Sequence, residues 1–461
     1  MKTKSLLILL TAIFFLTEAF SQEKKPLKEV LNAIESRYNV KLSYNENLVK
    51  EKMVEFPFWR FRDDAEATLN LVLGTFDMVF HKNKENVYEI SAFQYHRRPP
   101  EEGEKHLQRL QANSPDLSSW EIRREVLKNC IQQQLNLSPW PEKTALNPIT
   151  TPKRKHEGYT TENVAIETLP GLFLNGTLYR PAKGKSPFPA VLVAQGHFEL
   201  QRYDEAPQKL AATLARMGAV VFSYDMFAMN ESLLQFKPED HRTRTAQVVQ
   251  TWNTIRVIDY ISSLPGIDTN RIAMTGASGG GTQTFLATAL DPRIAISVPV
   301  VMVSSWFYGG CTCESGMPIH DCGPVGTNNV EIAAMAAPRP MLLVSIGNDW
   351  TATNPEVEYP FVRNIYDYYG KSGWVQNVHL PTENHDFGPS KREAVYLFLA
   401  THLQLSLEAV TGQQGKIDES RCTIETPDEM KVFGIKGEKI PAHAIKGLEE
   451  LHKRYTFLPH E

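Results

Sequence analysis

A serine, an acid and a histidine, in that chain order, could carry acyl-transfer chemistry in this sequence. Ser278 lies in "RIAMTGASGGGTQTF", where an apolar, strand-like segment passes through glycines into a helix-like one. A serine hydroxyl attacks only if it is held clear of the backbone beside a base. A sharp strand-to-helix turn does this when its neighbours lack bulky side chains. Gly276-Ala277-Ser278-Gly279-Gly280 fits the G-x-S-x-G pattern of such a turn. The helix expected past Ser278 also directs its first N–H groups at negative charge developing there.

The serine needs a histidine, and the histidine needs an acid to fix its tautomer. "PMLLVSIGNDW" reads as a strand ending at Asp349, and "VQNVHLPTENHDFG" as a strand followed by a loop that carries His385. Asp349 follows Ser278 by 71 residues and His385 follows Asp349 by 36, room for one strand–helix unit in each gap. His379 falls inside its strand, Asp386 is too near in sequence to reach round to the ring of His385, and Glu356 and Glu358 fall on the following helix. The expected set is Ser278 as nucleophile, Asp349 as acid and His385 as base. The oxyanion hole would use the backbone N–H of Gly279 and that of His197 or Phe198, in the turn Gln195-Gly196-His197-Phe198. The loop "SSWFYGGCTCESGMPIHDCG" should lie over this end, with Trp306, Tyr308 and Trp350 as a wall for a sugar ring and Phe307 as packing. The chemistry requires no cofactor and no metal.

These residues need elements to position them. From about Trp120 the pattern alternates. "FPAVLVAQGH", "AVVFSYDM", "RIAMTGAS", "ISVPVVMV", "RPMLLVSIG" and "WVQNVHLP" are apolar strands, separated by helices such as "APQKLAATLARMG" and "TAQVVQTWNTIRVIDYISSL". Continuous apolar strands alternating with helices predict a parallel sheet covered on both faces, in the element order of an α/β hydrolase. The domain is expected over residues 120–403. Residues 22–92 read as a separate α+β module: "LKEVLNAIESRYNV" and "DAEATLNLVLGTF" as helices, short strands between them, and a closing hairpin turned at "NKEN". The polar segment 93–119, with its Pro pair, reads as a partly helical linker, and 404–461 as an extension packed on the hydrolase. Residues 1–21 join Lys2 and Lys4 to the apolar run "SLLILLTAIFFL" and end in small residues, the pattern of a cleavable signal peptide. The mature chain is then expected to be periplasmic or secreted, with no membrane span.

Residues 150–403 resemble the acetyl xylan esterase-like branch of the α/β-hydrolases, related to dienelactone hydrolases. The resemblance rests on "GHFE", "DTNRIAMTGASGGGTQTF", "GGCTCE", "EIAAMAAPRPMLLVSIGNDWT" and "ENHDFG". It implies the same nucleophile, acid and base: Ser278, Asp349 and His385. Two features depart from it: Gln195 stands where many relatives have histidine, and the elbow holds serine where dienelactone members use cysteine. Residues 26–91 resemble the secretin and TonB short N-terminal domain. That resemblance implies contact with a periplasmic protein partner, although a spacer or dimerisation unit would show the same pattern.

The formal net charge of −4 and a charged fraction of 22% give no reason to expect a nucleic-acid partner. Cys311, Cys313 and Cys322 cluster in the long loop, and with His320 they could be drawn as a zinc site. Cys-x-Cys is a weak zinc signal, so a disulfide from Cys322 to Cys311 or Cys313 is preferred, leaving Cys130 and Cys422 as a second pair or as thiols. The first functional reading is a serine esterase removing an acyl group, foremost acetyl, from a carbohydrate. The alternatives are a uronic acid methyl esterase, for which Arg202, Arg242 or Arg244 could hold a carboxylate, a serine peptidase on the same fold, and a non-catalytic signalling or binding protein.

Overall fold

The computed structural model describes residues 24–459 apart from 74, 75, 77, 85, 93–96, 316, 317 and 414. The segment read as a signal peptide lies outside the described residues. Among those described, no helix is long and apolar enough to cross a membrane. The chain divides into two units, Met1–Tyr95 and His96–Glu461.

In the first unit, helices Leu27–Tyr38 and Ala65–Leu73 turn Leu27, Val30, Leu31, Ile34, Leu69, Val72 and Leu73 into one small core. Val87–Ala92 pairs antiparallel with Met78–Lys84 and parallel with Lys41–Ser43, and Lys24–Pro26 forms a separate ribbon with Met53–Glu55. The hairpin between Lys84 and Val87 includes Asn86, which takes φ 60°. This is the α+β order expected.

The second unit is built on a ten-stranded mixed sheet. Its eight longer strands are β1 (Tyr159–Leu169), β2 (Leu172–Pro181), β3 (Phe188–Ala194), β4 (Val220–Tyr224), β5 (Ile267–Ala277), β6 (Ile296–Val300), β7 (Met341–Ile346) and β8 (Val375–Leu380). They lie in the order β8-β7-β6-β5-β3-β4-β2-β1. Strands β3 to β8 are parallel, whereas β2 is antiparallel to both β4 and β1. Two short strands, Ile149–Thr150 and Arg154–Lys155, pair with β1.

The apolar strands follow from burial on both faces. On β3, Ala190, Leu192 and Ala194 enter one core while Val191 and Val193 enter the other. The first core is covered by α1 (Pro100–Asn113), α2 (Leu117–Gln134), α4 (Arg244–Ser263), α5 (Gly279–Leu290) and α6 (Tyr359–Tyr368). The second is covered by α3 (Glu205–Arg216) and α7 (Pro389–Leu403).

The segment expected to be a linker differs from that reading. Residues 100–113 form α1, whose buried stripe is Gly103, His106, Leu107 and Leu110, with Leu107 and Leu110 in the first core. An Asp116–Ser119 capping box then starts α2, which buries Trp120, Leu127 and Ile131. The stripe is narrow among charged residues, so composition hides it. Residues beyond 403 pack on the same unit: Val432, Phe433 and Ala444 against Ala165 and Phe173, and Ile445, Leu451 and Leu458 in the first core.

The disulfides correct the expected pairing. Cys322 bonds Cys130 of α2 rather than Cys311 or Cys313, which bond each other, and Cys422 is a free thiol. α2 delivers Cys130 to the long loop from 192 residues away, a proximity that spacing does not encode. His320 bonds Asn329 through Nε2, so it is not the partner of the Cys-x-Cys pair.

Candidate active site

β5 ends at Ala277 and α5 begins at Gly279, leaving Ser278 alone at the corner with φ 57° and ψ −123°. A non-glycine residue persists in that sparsely populated region only when its surroundings fix it. Here the Ser278 N–H donates to Val300 O on β6 at 3.0 Å, and its carbonyl accepts from the N–H groups of Gly281 at 2.7 Å and Thr282 at 3.1 Å. The flanking glycines are sterically required. A Cβ on Gly280 would stand 2.3 Å from Ala194 O, and one on Gly276 2.6 Å from the same oxygen.

Asp349 follows β7. Its Oδ1 accepts from the Thr351 N–H and hydroxyl, both at 2.6 Å, and its Oδ2 lies 2.7 Å from His385 Nδ1. Thr351 is fixed in turn, its hydroxyl accepting from the Ile346 N–H at 3.0 Å. A carboxylate accepts here, so Nδ1 carries the imidazole proton and Nε2 keeps its lone pair. The Asp349 side chain is 3% exposed and that of His385 25%, an acid sealed in and a base open to solvent. The His385 ring packs against Trp350 at 4.5 Å and Phe198 at 6.1 Å between centroids. Behind its loop, the buried Lys391 of α7 donates to Glu383 at 2.7 Å and Asp386 at 2.8 Å, bracketing His385 in sequence.

The turn after β3 presses on the serine corner. A Cβ on Gly196 would meet Ala277 O at 2.3 Å and Ser278 Cβ at 3.1 Å, and one on Gly279 would meet His197 Cε1 at 2.9 Å. Gly196 therefore borders Ser278, and the His197 ring borders Gly279. Gln195 turns inward to Ser223, 2.9 Å away. A cavity of about 260 Å³ beside the corner is lined by Gln195, Gly196, Phe198, Ala277 and Phe387 among others.

The expected sugar wall is brought together only in part. Trp350 stacks on Phe307 at 3.9 Å as well as meeting His385. Trp306 donates to Thr353 at 3.2 Å and lies beneath the Arg97 guanidinium. Tyr308 instead stacks on His320 at 4.3 Å and lines a separate groove of about 430 Å³ with Arg98, His106 and Arg109. Of the three arginines, Arg202 is buried in a salt bridge with Asp225 at 2.6 Å and Glu231 at 3.2 Å, so it faces no substrate. Arg242 is exposed, and its charge is felt at His197. His379 bonds Ser345 at 2.9 Å on neighbouring strands, a structural role. Glu358 is buried and accepts from the Ser305 hydroxyl at 2.7 Å.

One residue at the site escaped the sequence reading. His241, on the turn before α4, places Nε2 2.9 Å from His197 Nε2. Burial pushes both imidazoles down to about 4, and Arg242 adds to the fall at His197, so both are neutral near pH 7. No motif ties two histidines 44 residues apart.

Residues 172–313 match the family model described as "Glucuronyl esterase, fungi". The 4-O-methyl-glucuronoyl methylesterase 1 of Wolfiporia cocos (strain MD-104) is 30% identical over 131 residues, which cover 22% of this chain and 31% of that relative. The 4-O-methyl-glucuronoyl methylesterase of Phanerochaete carnosa (strain HHB-10118-sp) is 27% identical over 299 residues, covering 59% of this chain and 63% of that one. These matches span less than two thirds of either curated relative's length. Among solved structures, Methylesterase BT1017 is 41% identical, with a TM-score of 0.84 over 94% of this chain and 96% of its own. At that identity across nearly the whole of both, the chain belongs to the family of Methylesterase BT1017 and is a carboxylic ester hydrolase on the α/β-hydrolase fold.

Proposed function

We propose that the protein hydrolyses the methyl ester of a uronic acid residue in a polysaccharide, with Ser278 as nucleophile, His385 as general base and Asp349 as its orienting acid. The observation that carries this reading is the 41% identity to a methylesterase over nearly the full chain. All the relatives compared above carry methylesterase names, which favours the methyl ester over the acetyl ester expected first.

Ser278 Oγ attacks the ester carbonyl carbon while His385 Nε2 takes its proton. The oxyanion is held by the N–H groups of Gly279 and His197. Collapse expels the methoxy group, which leaves as methanol with the proton from His385. Water, activated by the same imidazole, then cleaves the acyl-enzyme and frees the uronate and Ser278. A carboxylate thus appears at the acyl carbon, and Arg242, whose charge is felt at His197, would favour it. Trp350 supplies the apolar wall, and the signal-peptide pattern of residues 1–21 puts the activity outside the cytoplasm.

The test is methanol release from methyl-esterified pectin and from xylan bearing methyl glucuronate, with acetate release from acetylated xylan run in parallel. Methanol release that falls by roughly 10³-fold or more in Ser278→Ala is the expected result. Acetate without methanol would return the acetyl reading, and an unchanged rate in Ser278→Ala would reject the nucleophile.

A further inference from the structure

We propose that His197, His241, Cys311 and Cys313 form a binding site for a thiophilic divalent cation, zinc foremost, when the two cysteines are thiols. The four ligand atoms already lie within 4.8 Å of one another. His197 Nε2 is 2.9 Å from His241 Nε2, 3.1 Å from Cys313 Sγ and 3.3 Å from Cys311 Sγ. A tetrahedral zinc site of two thiolates and two imidazoles sets its ligand atoms roughly 3.3–3.8 Å apart. Reaching that geometry separates the two sulfurs, lengthens the His197 contacts by a few tenths of an ångström and draws in the pairs now up to 4.8 Å apart by about 1 Å at most.

The imidazoles are oriented as ligands. His241 Nδ1 donates to Phe227 O at 2.6 Å, which fixes the tautomer and leaves the Nε2 lone pair facing the cluster. His197 Nδ1 faces Glu314 Oε1 at 3.9 Å, so the proton that His197 Nε2 shares with His241 can move to Nδ1 when Nε2 takes the metal. Glu314 is fixed for this role, accepting from the Gly310 N–H at 2.6 Å and the Thr282 hydroxyl at 3.3 Å.

The Cys311–Cys313 bond closes a loop around Thr312 alone, where the chain-entropy gain of a disulfide is smallest. Reduction by a phosphine and water splits the bond. Each sulfur gains a proton and the phosphine becomes its oxide. Metal entry then displaces the two thiol protons, giving a site of zero net charge. The ligands come from the turn after β3, the turn before α4 and the long loop, so the cation would pin that loop beside Gly279 and Ser278. The metal-free expectation drawn from Cys-x-Cys spacing considered only the loop's own histidine, His320.

The full chain is reduced with a water-soluble phosphine, freed of it anaerobically and titrated with Co²⁺. Uptake of one equivalent, with tetrahedral ligand-field bands and thiolate-to-metal charge transfer, is expected, followed by displacement by Zn²⁺. Alkylation and peptide mapping should show Cys311 and Cys313 protected while Cys422 reacts, and Cys311→Ser and His241→Gln should each weaken uptake at least tenfold. A reduced, natively folded chain that takes up no metal overturns the proposal, as does uptake that either substitution leaves unchanged. A second route avoids the reduction step: zinc content of the chain produced in a reducing cytoplasm. Near one equivalent in the unsubstituted chain and near none in Cys311→Ser supports the site. A folded unsubstituted chain with none rejects it.

Discussion

At the scale of single residues, the site depends on one carboxylate used on both sides. Asp349 gives Oδ1 to Thr351 and Oδ2 to His385, so neither oxygen is free to rotate away. Asp349→Asn would present an amide N–H to one of these donors, and the imidazole would lose the tautomer that leaves Nε2 basic. We expect kcat on a methyl uronate ester to fall on the order of 10⁴-fold with KM little changed. Thr351→Val removes only the hydroxyl bond, and a fall of roughly tenfold is expected. Initial rates across substrate concentration separate the two effects, and an unchanged kcat in Asp349→Asn would exclude it as the orienting acid. The positions of Ser278, Asp349 and His385 were legible because each follows the carboxyl end of a strand in the expected order, while their catalytic roles rest on the proposal above. His241 and the burial of Arg202 were not, since each depends on chain segments that meet only in the folded molecule.

At the scale of elements, the loop that carries His385 is held from behind by α7. Lys391 is buried between Glu383 and Asp386, one on each side of His385 in sequence. Lys391→Met would leave two carboxylates with no cation between them, and the partly exposed Asp386 would turn to water, taking its neighbour with it. A fall in kcat of roughly 10–100-fold with KM nearly constant is expected, partly restored in Lys391→Arg. A merely structural lysine would lower thermal stability and leave kcat of the folded protein intact. The elements themselves were legible where apolar runs are long, as in β3 or β7. α1 was read as part of a linker because only a narrow stripe, His106, Leu107 and Leu110 with Gly103, is buried. Amphipathic helices rich in charge lose their signal in averaged composition, and only the 3.6-residue period recovers it.

At the scale of the whole second unit, one sheet separates two apolar cores, and the long loop joins the first of them through Phe307, Cys313, Ile319 and Cys322. The Cys130–Cys322 bond supplies its long-range tie, joining α2 to that loop across 192 residues. Beside it, Arg123 of α2 pairs with Glu331 at 2.9 Å and donates to Gly326 O at 2.6 Å, so the loop's far end is fastened to α2 by covalent and ionic contacts together. Cross-linking residues so far apart removes chain entropy from the unfolded state, about 5 kcal/mol in the loop-closure limit and about 2–5 kcal/mol where native disulfides have been removed. Replacing both cysteines by serine should therefore lower unfolding free energy by about 2–5 kcal/mol, read from denaturant midpoints at constant slope. Activity of the folded double variant should fall less than its stability, because Ser278, Asp349 and His385 follow strands that the bond does not touch. If the midpoint stays unchanged, the tie to α2 rests on Arg123 and packing alone, and Arg123→Ala in the same background would then reveal it.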